Sequence, residues 1–234
     1  MISHAPANTA VERPGSDLNQ LLLLRYQWSM SQQRTRDDDG SDDASTAAET
    51  RAFLVERSGR TFAPIPKSFI QNPDGKLKNR RAPLADFVRR GDKRGLLALL
   101  LLHTIISSGE HEDGWSSSLH LQVWARALGT VSTATGASAT SAATKILSRL
   151  VDRRLIERRR AGRQRNITIT LLSADGTGRP YARPVGATRE DRFIRLSHTF
   201  WDQAWAEELS LPAIAMLLVA LHEKPNFPLA TEHM

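Results

Sequence analysis

Residues 141–172 carry the most informative pattern of the chain and read SAATKILSRLVDRRLIERRRAGRQRNITITLL. From Ser141 to Arg153 the apolar residues recur every three or four positions, as on the buried stripe of an amphipathic helix. The hydroxyl of Thr140 or Ser141 is suited to cap the first turn, because it can accept a hydrogen bond from a free backbone N–H. The predicted inward stripe comprises Ala143, Ile146, Leu147, Leu150 and Val151.

The outward face of this predicted helix is polar and weakly basic. Apart from one acidic residue, its side chains are short or cationic: Ser141, Thr144, Lys145, Ser148, Arg149 and Asp152. Such side chains suit contacts with base edges and phosphates. An ordinary surface helix has a similar face, so the segment that follows it has to decide between the two interpretations.

That following segment predicts a β-hairpin with a dense basic tip. One strand begins at Leu155, Gly162 gives the turn at 161–164 access to positive φ, and residues 166–171 alternate as a return strand. Asp152 and Glu157 oppose the arginines of this region, which are Arg153, Arg154, Arg158, Arg159, Arg160, Arg163 and Arg165. Like charges at this density repel one another, and an anionic partner would relieve the repulsion.

Two further helices are predicted upstream. Residues 95–107 (GLLALLLLHTIIS) are almost wholly apolar, too short to span a bilayer, and typical of a central core helix. Residues 119–128 (LHLQVWARAL) form an amphipathic pattern that Gly129 ends as a helix C-terminal glycine. The predicted order is therefore helix, helix, turn, helix, hairpin.

Across residues 61–172 this order resembles the winged helix-turn-helix superfamily. In that family a leucine-rich third helix ends in an L…LI-x-R pattern and passes into the wing, as ILSRLVDRRLIERRR does here. Residues 130–140 (TVSTATGASAT) depart from the family, which usually has a tight turn at this place. The resemblance implies a mainly α fold with a small β-hairpin, a recognition helix at 141–153 in the DNA major groove, and an arginine-rich wing at 154–170 on the DNA backbone.

The DNA-binding residues expected on this basis divide into two groups. Thr144, Lys145, Ser148 and Arg149 are expected to approach base edges. The wing arginines are expected to hold phosphates or to enter the adjacent minor groove. The full predicted set is Ser141, Thr144, Lys145, Ser148, Arg149, Arg153, Arg158, Arg159, Arg160, Arg163 and Arg165.

Composition favours the same class of partner. The 234 residues carry a formal net charge of +7, and the concentration of arginine on one hairpin favours nucleic acid over a membrane surface. The chain has no cysteine, which excludes disulfides, thiolate catalysis and a cysteine zinc site. Leu21–Leu24 is too short for the apolar core of a signal peptide, so a cytoplasmic, nucleoid-associated protein is expected.

The domain organisation predicted from composition has four parts. Residues 1–60 are expected to be mostly disordered with a short helix near 17–30, and residues 61–172 to form the winged-helix domain. Residues 173–191, rich in Gly, Pro and charge, predict a linker. Residues 192–234 begin with a lead-in and an apolar helix similar in character to those at 61–70 and 95–107. They predict either the start of a second winged-helix unit in a truncated chain, or a helix that pairs with its copy in a homodimer.

No catalytic signature of comparable strength is present. His111-Glu112-Asp113 lacks a second ligand set for a metal, and the sequence has neither a glycine-rich phosphate loop nor a Gly-x-Ser-x-Gly elbow. We therefore expect a non-enzyme without metal or cofactor that binds specific double-stranded DNA sequences. Its setting is replication initiation, as for plasmid or phage initiators, or transcriptional regulation. The alternative is a non-catalytic winged-helix module that binds an acidic protein surface.

Overall fold

The computed structural model describes residues 46–72, 82–109, 114–131, 136–160 and 165–223. The predicted helix near 17–30, the hairpin turn at 161–164 with Arg163, and His111-Glu112-Asp113 lie outside the described residues. The described residues belong to one compact unit. In chain order its elements are α1 (Ala47–Arg57), β1 (Phe62–Pro66), α2 (Lys67–Ile70), α3 (Pro83–Arg89), α4 (Lys93–Ile105), β2 (Ser116–His120), α5 (Leu121–Ala127), α6 (Gly136–Asp152), β3 (Ile156–Arg160), β4 (Asn166–Leu171), β5 (Phe193–Ser197), α7 (Thr199–Asp202), α8 (Trp205–Glu208) and α9 (Leu211–His222).

The apolar helix α4 lies at the centre of this unit, as predicted. Leu96 and residues 98–104 are buried, and α4 contacts α1, α3, α6 and β1. The carboxylate of Asp92 caps its first turn by accepting from the backbone N–H of Gly95 at 2.9 Å. A helix that is apolar on nearly all sides needs neighbours on all sides, which explains its central position.

The predicted hairpin is confirmed, but it belongs to a larger sheet. β3 and β4 pair antiparallel, and β4 also pairs with β2, giving the strand order β2-β4-β3. Strand β2 was not predicted, and the helix predicted to begin at Leu119 begins at Leu121 instead. The segment Ser116–Ser118 has no alternation of apolar and polar residues, so its sequence does not predict a strand. It forms a strand through its pairing with β4.

Helix α6 begins at Gly136, so the predicted start at Ser141 was wrong. Thr140 lies inside the helix with its hydroxyl 3.0 Å from the carbonyl oxygen of Ala137, and it does not cap the first turn. Buried Ala139 extends the inward stripe by one turn. Val151, predicted to be inward, is 38% exposed. The Ser, Thr and Ala content of this region suggested a loop, but the small side chains are compatible with a helix packed closely against α5.

The region before β1 also differs from the expectation based on composition. Residues 47–57, predicted to be mostly disordered, form α1, which starts with a reciprocal capping box between Thr46 and Glu49. The Arg51 guanidinium donates to the carbonyl oxygen of Ala127 at 3.1 Å, which holds α1 against the end of α5. The protein is therefore a mixed α/β structure with more sheet and more ordered helix than predicted.

A second antiparallel sheet joins distant parts of the chain. β1 and β5 pair with Phe62 opposite Ser197 and Ile65 opposite Ile194, so the two similar lead-in segments are hydrogen-bonded to each other. Helix α9 contacts β5, α2 and α3. Between β4 and β5, residues 173–191 form turns, and Tyr181 is buried beside His103 and Trp115. In the described part of the chain no helix has the length and apolarity required to cross a bilayer.

Candidate nucleic-acid interface

The solvent-facing stripe of α6 is short-chained and polar. At helical spacing, Ser138, Ser141, Lys145 and Ser148 follow one another along one side of the helix. The first three are exposed, and Ser148 is half-buried. Ser138 is absent from the predicted set because it falls in the segment taken as a loop. The buried positions at 139 and 143 carried the signal that could have placed it, since they continue the spacing of 146, 147 and 150.

Thr130 fixes the turn between α5 and α6. Gly129 has φ +66°, the left-handed conformation expected of the glycine that ends α5. The next residue, Thr130, is fully buried, and its hydroxyl oxygen lies 2.9 Å from the carbonyl oxygens of both Ala125 and Ala139. One hydroxyl therefore joins the end of α5 to the first turns of α6. This contact sets how far the start of α6 projects from the body.

Two arginines of the predicted set point away from the stripe and into an ion-pair cluster. Arg149 binds the buried Asp92 in bidentate fashion, with Nε at 3.0 Å and Nη2 at 2.8 Å from its two carboxylate oxygens. Arg153 lies 2.9 Å from Asp92 and 3.0 Å from Asp86, and its guanidinium covers the Phe87 ring at 4.3 Å. These contacts tie the C-terminal half of α6 to α3 and the start of α4.

The cluster keeps its carboxylates ionised. Burial by itself would raise the pKa of Asp86, but hydrogen bonds from Arg90, Arg153 and Arg89 lower it to about 2. Burial acts in the same way on Asp92, and the hydrogen bond from Arg149 together with that from Gly95 N–H brings its pKa below the usual range. The negative charges of Asp86 and Asp92 are therefore neutralised by neighbouring arginines, whereas Asp152 at the end of α6 is exposed.

The wing arginines have a different environment. Arg158, Arg159, Arg160 and Arg165 are all exposed. Arg158 and Arg160 lie opposite Ile169 and Ile167 of β4, whereas Arg159 lies opposite Thr168. The Nη1 of Arg158 donates to the carbonyl oxygen of Thr144 in α6 at 3.2 Å. The edge of the wing that faces α6 is thus basic.

The predicted set therefore separates into three groups within the described residues. Ser141, Lys145 and Ser148 share the open stripe. The wing carries Arg158, Arg160 and Arg165 on the side of Thr144, and Arg159 on its other face. Arg149 and Arg153 belong to the carboxylate cluster. The stripe of α6 presents hydroxyl groups and the Lys145 ammonium, and the wing beside it presents guanidinium groups. Together they can contact an extended anion.

In the ranges that the structure describes, His, Asp and Glu side chains form no group able to hold a metal ion. His103 is buried in α4, and burial lowers its pKa to about 4, which keeps the imidazole neutral. No protein-family model matches the chain, and searches of curated proteins and of solved structures gave no match.

Proposed function

We propose that residues 93–171 form a winged helix-turn-helix unit and that the protein binds specific sequences of double-stranded DNA. The order α4, β2, α5, α6, β3, β4 supports this fold, as does the pairing of β2 with the last strand of the hairpin. The observation that carries the function is the position of charge around α6. Its open stripe adjoins a purely cationic wing edge, while the nearby carboxylates Asp86 and Asp92 are engaged on the opposite flank.

In this proposal α6 enters the major groove, which at about 12 Å is wide enough for a helix. Ser138, Ser141, Lys145 and Ser148 approach the base edges. Arg149 and Arg153 act as positioning residues that hold α6. If either guanidinium turned toward DNA, the carboxylates that it binds would lose an ion-pair partner, which is costly for a buried charge. This assignment replaces the expectation that Arg149 reads bases.

The wing arginines would contact the DNA backbone beside the groove. Guanidinium groups match phosphate oxygens in geometry and charge, and such contacts position a protein on DNA without reading sequence. Specificity would then come from the stripe and affinity mostly from the wing. Homodimer formation and the choice between replication and transcription stay predictions from the sequence.

The test is a fluorescence-anisotropy titration of the whole protein with a random duplex at low and at moderate salt. A triple Arg158/Arg160/Arg165→Ala variant is compared with a triple Arg179/Arg192/Arg195→Ala variant, which loses the same charge from exposed positions elsewhere. We expect salt-sensitive binding that the first variant loses and the second retains. Selection of a preferred site from a random library would then show sequence specificity.

Two results would contradict the proposal. Equal losses in both triple variants would mean that only net charge matters. Absence of duplex binding at low salt would remove the DNA function and favour the alternative of a winged-helix module that binds an acidic protein.

A further inference from the structure

A notch separates the N-terminal half of α6 from the inner edge of the wing. Its volume is about 140 Å³, and its lining consists of Leu121, Thr144, Arg158, Arg160, Arg165 and Ile167. Three guanidinium-bearing residues and no carboxylate contribute to this lining in the described part of the chain. Mutual repulsion of these cations is a cost that a bound anion would remove.

Strand register decides which arginines reach the notch. In an antiparallel pair, directly opposed residues share a face of the sheet. Arg158 and Arg160 share the face of Ile169 and Ile167, which is the buried side of β4 toward α6. Arg159 shares the other face with Thr168. Of these three consecutive arginines, two therefore lie on the face of the sheet toward the notch and one lies on the opposite face.

The arginines of the notch are held on fixed backbone. Arg158 is anchored by its Nη1 contact of 3.2 Å with the Thr144 carbonyl oxygen, which engages one of its five N–H donors. The carbonyl oxygen of Arg165 accepts from the backbone N–H of Leu121 at 2.9 Å, which joins the start of β4 to α5. A preorganised donor such as Arg158 loses less conformational entropy when it binds a ligand.

We propose that this notch is a discrete phosphate-binding site that grips a single phosphodiester of the DNA backbone next to the groove occupied by α6. This inference rests on the proposed DNA-binding function and deepens it. A phosphodiester offers two non-bridging oxygens, and guanidinium groups from β3 and from Arg165, which precedes β4, can donate to both. Arg159, on the opposite face, has no part in the site.

The first arm of the test uses inorganic phosphate. Arginine Nε–Hε NMR signals of the whole protein are followed during titration with phosphate, with sodium chloride at equal ionic strength as reference. We expect saturable shifts that the Arg158→Ala/Arg160→Ala variant loses and the Arg159→Ala variant retains. Absence of saturable shifts, or their persistence in the double variant, would overturn the site.

The second arm uses duplex DNA in which single phosphates are replaced by uncharged methylphosphonates. We expect one replacement to weaken binding about tenfold in the wild-type protein and in Arg159→Ala, but to have little effect in Arg158→Ala/Arg160→Ala. Such non-additivity identifies a direct contact. If the same methylphosphonate replacement weakened binding equally in all three proteins, the notch proposal would be overturned and DNA binding would remain. Phosphate shifts without duplex binding would instead contradict the proposed function and leave the notch intact.

Discussion

Replacing Asp92 by Ala is expected to destabilise the protein far more than a typical surface substitution. The carboxylate is 7% exposed and accepts hydrogen bonds from Gly95, at the start of α4, and from Arg149 of α6. Arg153 completes its contacts at 2.9 Å. The change therefore removes a helix cap and an ion pair at the same time.

The magnitude follows from these two losses. Loss of an N-terminal cap costs about 1 kcal/mol. Breaking a buried ion pair by removing one partner costs about 3–5 kcal/mol. The lower end applies here, because the Arg149 side chain is 41% exposed and can be rehydrated, while Arg153 keeps Asp86 at 3.0 Å. Together with the lost cap, we expect a total loss of about 4 kcal/mol in the free energy of unfolding.

Urea unfolding followed by circular dichroism measures this loss, with Asp152→Ala as a control because Asp152 is an exposed carboxylate at the end of α6. Arg149→Ala should also lower stability, and its effect should not add to that of Asp92→Ala. A loss below about 1 kcal/mol for Asp92→Ala, equal to that of the control, would refute the reasoning. If the Arg149→Ala variant kept full stability but lost its preference for the selected DNA site, Arg149 would be a base-reading residue.

Three other changes have defined outcomes. Thr130→Val should cost about 1 kcal/mol in urea unfolding, because it removes the buried hydroxyl that lies against the Ala125 and Ala139 carbonyl oxygens, whereas Thr130→Ser should cost less. In anisotropy titrations, the Arg158→Ala/Arg160→Ala variant should reduce the slope of log affinity against log salt by about 1, because the notch holds one phosphate. An unchanged slope would contradict phosphate contact. Between pH 6.5 and about 4, His103 binds a proton in the unfolded chain but stays neutral in the folded protein, where its pKa is about 4. The free energy of unfolding should therefore fall by about 1.4 kcal/mol per pH unit as the pH decreases through this range. The His103→Leu variant should show a weaker pH dependence, and an identical pH profile would exclude His103 as its source.

The local patterns of the sequence were enough to predict several elements. Helix α4, the C-terminal part of α6 and the β3–β4 hairpin each depend on a periodicity that lies within one short segment. Gly129 at the end of α5 follows from a local backbone requirement. Hydrophobic spacing is sufficient in these cases because burial of one face is the main force that forms the element.

The tertiary structure decided the features that depend on distant residues. β2 has no strand pattern of its own and forms on β4, and β1 pairs with β5 across more than a hundred residues. Arg149 and Arg158 are both cations in the sequence, yet one binds a carboxylate 57 residues away and the other borders an open notch. The sequence by itself determined where positive charge is concentrated. Only the fold decided which charges are neutralised, because ion pairing depends on distances in space that no local pattern contains.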